Sequence, residues 1–187
     1  MTETGHRGAS LIQGPIRAAT AATAVAVLLL VLSAGGGAAR ADDPAFLSLG
    51  AGAFDVNLQD DTAAEFRVEY RSAKKVWIFK PFGAVAVTSD ASLFIHSGVL
   101  VDIFFGRRVV LTGSFGPGFY VQGGSDKDLG HPLEFRSQAE IAWRFNDRSR
   151  LGLAISHYSN AGLGDENRGA ETAMLYYSIP VDKVWKW

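Results

Sequence analysis

The sequence predicts an all-β protein: an eight-stranded antiparallel outer-membrane β-barrel preceded by a cleaved signal peptide. Three observations carry this expectation. An uncharged run near the start leads into a small-residue cleavage site. Beyond it the chain alternates oily and polar residues in segments of about ten, the period of a strand with two unlike faces. The charged faces carry both signs, and strands of this length are long for a soluble sandwich but natural for tilted membrane strands.

Residues 1–41 read as the signal peptide. Arg7 and Arg17 supply a basic start, and Ala18 to Ala34 carries no charge. Ala39-Arg40-Ala41 then places small residues at both positions of an A-x-A site, so cleavage falls before Asp42. The competing reading is a membrane anchor, but the run is only 17 residues and half of it is Ala and Thr. The barrel domain is then 42–187, with 15 basic and 18 acidic residues once Glu3, Arg7, Arg17 and Arg40 are left out.

Strands are expected near 46–57, 62–72, 78–88, 92–105, 108–122, 133–145, 149–159 and 170–181. The clearest runs from Leu133 to Phe145, with Phe135, Ile141 and Trp143 on its oily face and Glu134, Arg136 and Glu140 on the other. Phe66, Val68 and Tyr70 alternate with Glu65, Arg67, Glu69 and Arg71 in the same way. Turns are expected at Gln59-Asp60-Asp61, Gly106-Arg107 and Asn146-Asp147, with a long loop from Gly123 to Pro132.

Alternation alone does not say which face is inside. A membrane barrel turns its oily face to lipid and keeps charges in the lumen. Ion pairs of both signs suit a lumen that eight strands leave too narrow for an open channel. Aromatics near strand ends read as interfacial girdles: Phe79, Phe82, Phe104, Phe105, Tyr120, Trp143, Phe145 and Tyr158. A terminal Trp187 resembles the C-terminal signal of outer-membrane proteins.

Composition excludes other classes. No Cys means no disulfide framework, thiolate nucleophile or zinc finger. A formal net charge of −1 gives no basic footprint for nucleic acid. No His/Asp/Glu grouping has metal-ligand spacing, and no cofactor is implied. His96 shares a lumenal face with Asp102 and reads as a hydrogen-bonded packing residue. His131 falls in a loop before Pro132.

One segment is unlike the rest. His157 and Ser159 are two apart on a strand, so both leave one face, roughly 7 Å apart by the strand rise. Glu171 opens the next strand, where a hairpin can set it beside His157. Hydroxyl, imidazole and carboxylate are the parts of a serine-hydrolase triad: nucleophile, base and orienter. All three share the parity of Leu151, Leu153 and Ile155, so they sit on the oily face. Ionisable groups facing lipid are costly and point to function. The bland alternative is three polar residues idling above the hydrocarbon.

The run His157-Tyr-Ser-Asn-Ala-Gly-Leu-Gly164, followed by Asn167, Gly169 and Glu171, resembles the signature of the outer-membrane lipid A 3-O-deacylases, the PagL family. The close match covers about 15 residues, and the signal peptide and strand layout agree elsewhere. The resemblance implies a barrel enzyme that hydrolyses the ester at the 3-position of lipid A, with lipopolysaccharide of the outer leaflet as its partner. It makes Ser159 the nucleophile, His157 the base and Glu171 the orienting acid. Asn160 and the Gly162 N–H become oxyanion-hole candidates, and Asn167 and Gly169 loop-shaping ones. A homodimer is compatible with the resemblance. With periplasmic termini, strand seven ends at the cell surface, where lipid A lies.

Two other functions are open at this stage. One is a non-enzymatic barrel with a structural or adhesive role, which leaves lipid A intact. The other is a soluble periplasmic barrel that binds an apolar ligand, which is extractable without detergent.

Overall fold

Period-2 patterning requires each strand to show one face to the interior, and the computed structural model realises this around a closed ring. The structure describes residues 43–57, 62–124 and 127–184. The expected signal peptide, the Gln59-Asp60-Asp61 turn and Trp187 lie outside those residues. The strands are β1 (Phe46–Phe54), β2 (Ala63–Arg71), β3 (Lys80–Thr88), β4 (Leu93–Phe105), β5 (Val109–Val121), β6 (Leu133–Arg144), β7 (Arg150–Ser159) and β8 (Ala170–Pro180). Each pairs antiparallel with its sequence neighbour, and β1 pairs with β8, Phe46 opposite Pro180, to close the barrel. One helical turn, Val181–Val184, follows β8.

The strands end within a few residues of their expected bounds. The first stops early because Asp55 turns to positive φ. The third starts at Lys80 because Val76 and Phe79 close a tight turn in which Trp77 has φ +60°.

The burial alternation answers the inside–outside question. Phe66, Val68, Ile141, Leu153 and Ile155 are exposed, while Glu65, Arg67, Glu69, Arg71, Arg136 and Glu140 are buried. The lumen is thus polar and charged, and the outer wall is oily. Burying so many charges is tolerable only if they are paired. Arg71 bonds Glu69 at 2.7 Å and Glu140 at 2.6 Å, and Arg136 reaches Glu69 at 3.1 Å. Arg67 joins Glu65 and donates to Gln138 at 3.0 Å and Tyr176 at 2.7 Å.

Parity also corrects two expectations. Phe82, Tyr120 and Tyr158 are buried on the inner face, so they are not girdle residues; Phe105, Trp143 and Phe145 are exposed on the outside. His96 is lumenal as expected but not hydrogen-bonded. It stacks on Phe94 at 4.7 Å and meets Phe82 edge-on, and neither ring nitrogen has a hydrogen-bond partner among the described residues. Asp102 is instead committed to Lys80, Arg150 and Thr112.

The two ends of the barrel differ. One carries the eight-residue connection after β2, the short turns after β4 and β6, the Val181–Val184 turn and the start of β1. The other carries the loops after β1, β3, β5 and β7. There Leu129 of the β5–β6 loop plugs the mouth in a buried cluster with Phe54, Phe94, Tyr120 and Tyr158. Buried Lys127 pairs with Asp55 at 2.8 Å and ties this loop to β1.

Candidate active site

The site forms where β7 and β8 approach the looped end. Their register sets His157 directly opposite Glu171. His157 Nδ1 and Glu171 Oε1 are 3.0 Å apart, with the side chains 50% and 34% exposed. Since the carboxylate accepts, this contact puts the ring proton on Nδ1 and leaves the Nε2 lone pair open. Ser159 is half-buried on the same outer face, two residues further along β7. It makes no hydrogen bond to the His157 ring among the described residues.

Tyr158, between them, points the other way. Its ring packs edge-on against Phe54 and Phe94, and its phenol joins Arg67 and Glu65 in the lumen. The ion-pair network therefore anchors the strand that carries His157 and Ser159.

The loop beyond Ser159 opens with a tight turn. Ala161 and Gly162 both have positive φ, and Leu163 N–H donates to Asn160 O at 3.1 Å, the type I′ pattern. Asn160 is fully buried. Its Nδ2 donates to Leu129 O at 3.1 Å and Glu166 O at 2.7 Å. Its Oδ1 accepts the Gly162 N–H at 2.9 Å. The Asn160 side chain and the Gly162 N–H, the two oxyanion candidates, are thus both engaged in holding the loop. The reason is local: an Asn at the first position of a tight turn bonds the backbone two residues on.

Asn167 Oδ1 accepts the Asn160 N–H at 3.1 Å, which draws the far side of the loop back beside the end of β7. Gly169 is buried with φ +60°, and a Cβ there would lie 3.3 Å from His157 Cε1. Sequence reading missed the support from the β5–β6 loop. Leu129 O receives the Asn160 amide, and a Cβ on Gly130 would strike Glu166 O at 2.2 Å. A lone Gly in a polar loop was the only hint.

On the outer wall Phe135 is the cross-strand partner of Ser159 and stacks on Phe115 at 5.9 Å. Ser137 is opposite His157, and Ala173 is opposite Ile155. The site therefore opens onto apolar surface. Among the described residues, no group of three His, Asp or Glu is placed to hold a metal ion.

The family model for lipid A 3-O-deacylase (PagL) matches residues 36–180. The chain belongs to the PagL family. It is 33% identical over 88 residues to the lipid A deacylase PagL of Pseudomonas aeruginosa, a match covering 47% of this chain and 42% of that protein. It is 28% identical over 74 residues to the Bordetella bronchiseptica PagL, covering 34% and 42%. These matches span less than half the length of either curated relative. In fold, it resembles the crystal structure of the outer-membrane enzyme PagL, at TM-score 0.57 and 22% identity over 72% of this chain and 99% of that one. A de novo designed transmembrane β-barrel matches at TM-score 0.52, with 9% identity over 73% of this chain and 96% of that one. The PagL family and the closed eight-stranded wall make this a protein of the bacterial outer membrane.

Proposed function

We propose that the protein is an outer-membrane serine esterase that removes the ester-linked acyl chain at the 3-position of lipid A. The observation that carries this reading is the His157–Glu171 contact at 3.0 Å on the outer wall, with His157 two residues from Ser159 along β7, in a chain of the PagL family.

Ser159 is the nucleophile. Its hydroxyl is weak until a base takes the proton, and His157 Nε2 is that base. Glu171 holds the imidazole in the Nδ1–H tautomer and stabilises the cation that forms. Oγ attacks the ester carbonyl as its proton passes to Nε2, giving a tetrahedral oxyanion. Collapse expels the sugar 3-oxygen, which takes the proton back from the imidazolium. Water, giving a proton to the same ring, then attacks the acyl-enzyme; collapse breaks the Oγ–acyl bond, releases the fatty acid, and returns the proton from the imidazolium to Ser159 Oγ. The Ser159–His157 hydrogen bond closes when substrate docks, as such bonds often do.

Oxyanion stabilisation falls to the Asn167 amide, because the Asn160 and Gly162 donors are already used in the loop. The substrate reaches the triad sideways. Its acyl chains lie along the oily wall at Ile155, Ala173, Phe135 and Phe115, and its sugar sits at the level of the loop. Such a site needs no pore, which suits a lumen filled with ion pairs.

The test is lipid A mass spectrometry on cells with and without the protein, alongside the Ser159→Ala variant. Loss of one 3-position acyl chain in the wild type alone supports the reading. Intact lipid A beside abundant folded barrel refutes it.

A further inference from the structure

The end of the barrel opposite the triad carries a feature that deacylation does not use. Arg107 and Arg108 in the β4–β5 turn, and Arg144 at the end of β6, line a cavity of about 50 Å³ with Phe145 and Asn146. Among the described residues, no carboxylate lines it. The Arg108 guanidinium lies 6.0 Å over the Trp143 ring and donates to Arg144 O at 3.4 Å. Arg144 Nε is buried and makes no hydrogen bond among the described residues. Arg144 Nη2 reaches Asp43 at 3.4 Å, but Asp43 is already shared with Arg150 and Lys80.

The neighbouring turn shows what balanced charges look like on this rim. Arg148 pairs with Asp182 at 2.8 Å, and Lys183 with Asp147 at 2.6 Å. Among the described residues, Arg107 and Arg108 have no carboxylate partner. The positive surplus is therefore local to one cavity.

Its depth in the membrane is defined by its neighbours. Phe105, Trp143 and Phe145 are exposed on the outer wall beside it, as expected of an interfacial aromatic band. Polar groups just beyond such a band stand at headgroup level. Short turns mark the periplasmic end of an outer-membrane barrel and longer loops the outer one. This cavity is formed by the three-residue turn after β4 and the five-residue turn after β6.

We propose that Arg107, Arg108 and Arg144 form a binding site for the headgroup phosphate of an anionic glycerophospholipid in the periplasmic leaflet. Guanidinium forks match phosphate oxygens in two-point hydrogen bonds, and Trp143 and Phe145 flank the glycerol and upper acyl chain. A zwitterionic lipid carries the same phosphate, but its ammonium has no carboxylate to meet in the cavity. The inference does not depend on the triad, which lies at the other end.

Native mass spectrometry of the full refolded barrel tests it. The protein is released from neutral micelles doped with phosphatidylglycerol or phosphatidylcholine, with and without inorganic phosphate. Wild type is expected to retain phosphatidylglycerol and little phosphatidylcholine. Arg107→Gln changes an exposed turn side chain and preserves the fold, which heat-modifiable mobility checks. Each guanidinium removed is expected to lower phosphatidylglycerol retention roughly fivefold, so Arg107→Gln/Arg108→Gln compounds the loss. Equal retention by Arg107→Gln, or equal retention of the two lipids, overturns the proposal. So does an inorganic phosphate adduct with no retained lipid, which would mean a free-anion site only.

Discussion

Three side chains on adjacent strands carry the proposed chemistry, and each is expected to fail differently. Ser159→Ala and His157→Ala should each leave no more than a few per cent of deacylation, because nucleophile and base act as one unit. Assays on folded barrel in detergent–lipid micelles check this. Glu171→Gln should lose activity less severely, by a factor of roughly ten to a hundred relative to the other two, since it orients the base without transferring a proton. Asn160 tests a different idea. Its amide holds Leu129 O and Glu166 O, so Asn160→Ala should lower stability by about 1–3 kcal/mol through unsatisfied carbonyls. Urea unfolding of the reconstituted barrel measures it. A variant as stable as wild type, yet inactive, would instead return Asn160 to direct catalysis.

The strands explain both what was legible and what was not. Strict alternation in Leu133 to Phe145 and in Phe66 to Arg71 fixed which residues share a face, and β7–β8 pairing then set His157 against Glu171. Aromatic content could not be sorted without that parity: Tyr158 and Tyr120 look like girdle residues yet pack in the lumen. The supports of the loop after β7 were not legible either. Leu129 and Gly130 lie some thirty residues from Asn160, and nothing local ties two loops that meet only across the barrel mouth. The two faces of β7 and β8 yield an expected contrast. Ala173 is exposed beside Ile155 on the outer wall, so Ala173→Trp should raise KM for lipid A with the fold intact. Ala154 is buried against Met174 and Tyr176, so Ala154→Trp should overpack the lumen at about 1–3 kcal/mol or prevent folding. Activity and heat-modifiable mobility, measured together, separate the outcomes.

The described barrel is inside-out: an oily outer wall around a lumen of ion pairs. Its stability should depend on keeping those pairs complete. Glu140→Gln leaves Arg71 and its other partner Glu69 buried with one charge removed, and should cost about 3–5 kcal/mol, read from the urea midpoint. Filling the lumen with charges leaves the outer wall as the place where an amphiphile can be processed without leaving the membrane. The direct test of that claim is the lipid A mass spectrum of cells expressing wild type or Ser159→Ala, with equal amounts of folded barrel in the outer membrane. Lipid A lighter by one 3-position acyl chain is expected with wild type, and unchanged lipid A with the variant. Unchanged lipid A in both, or equal deacylation in both, would contradict it.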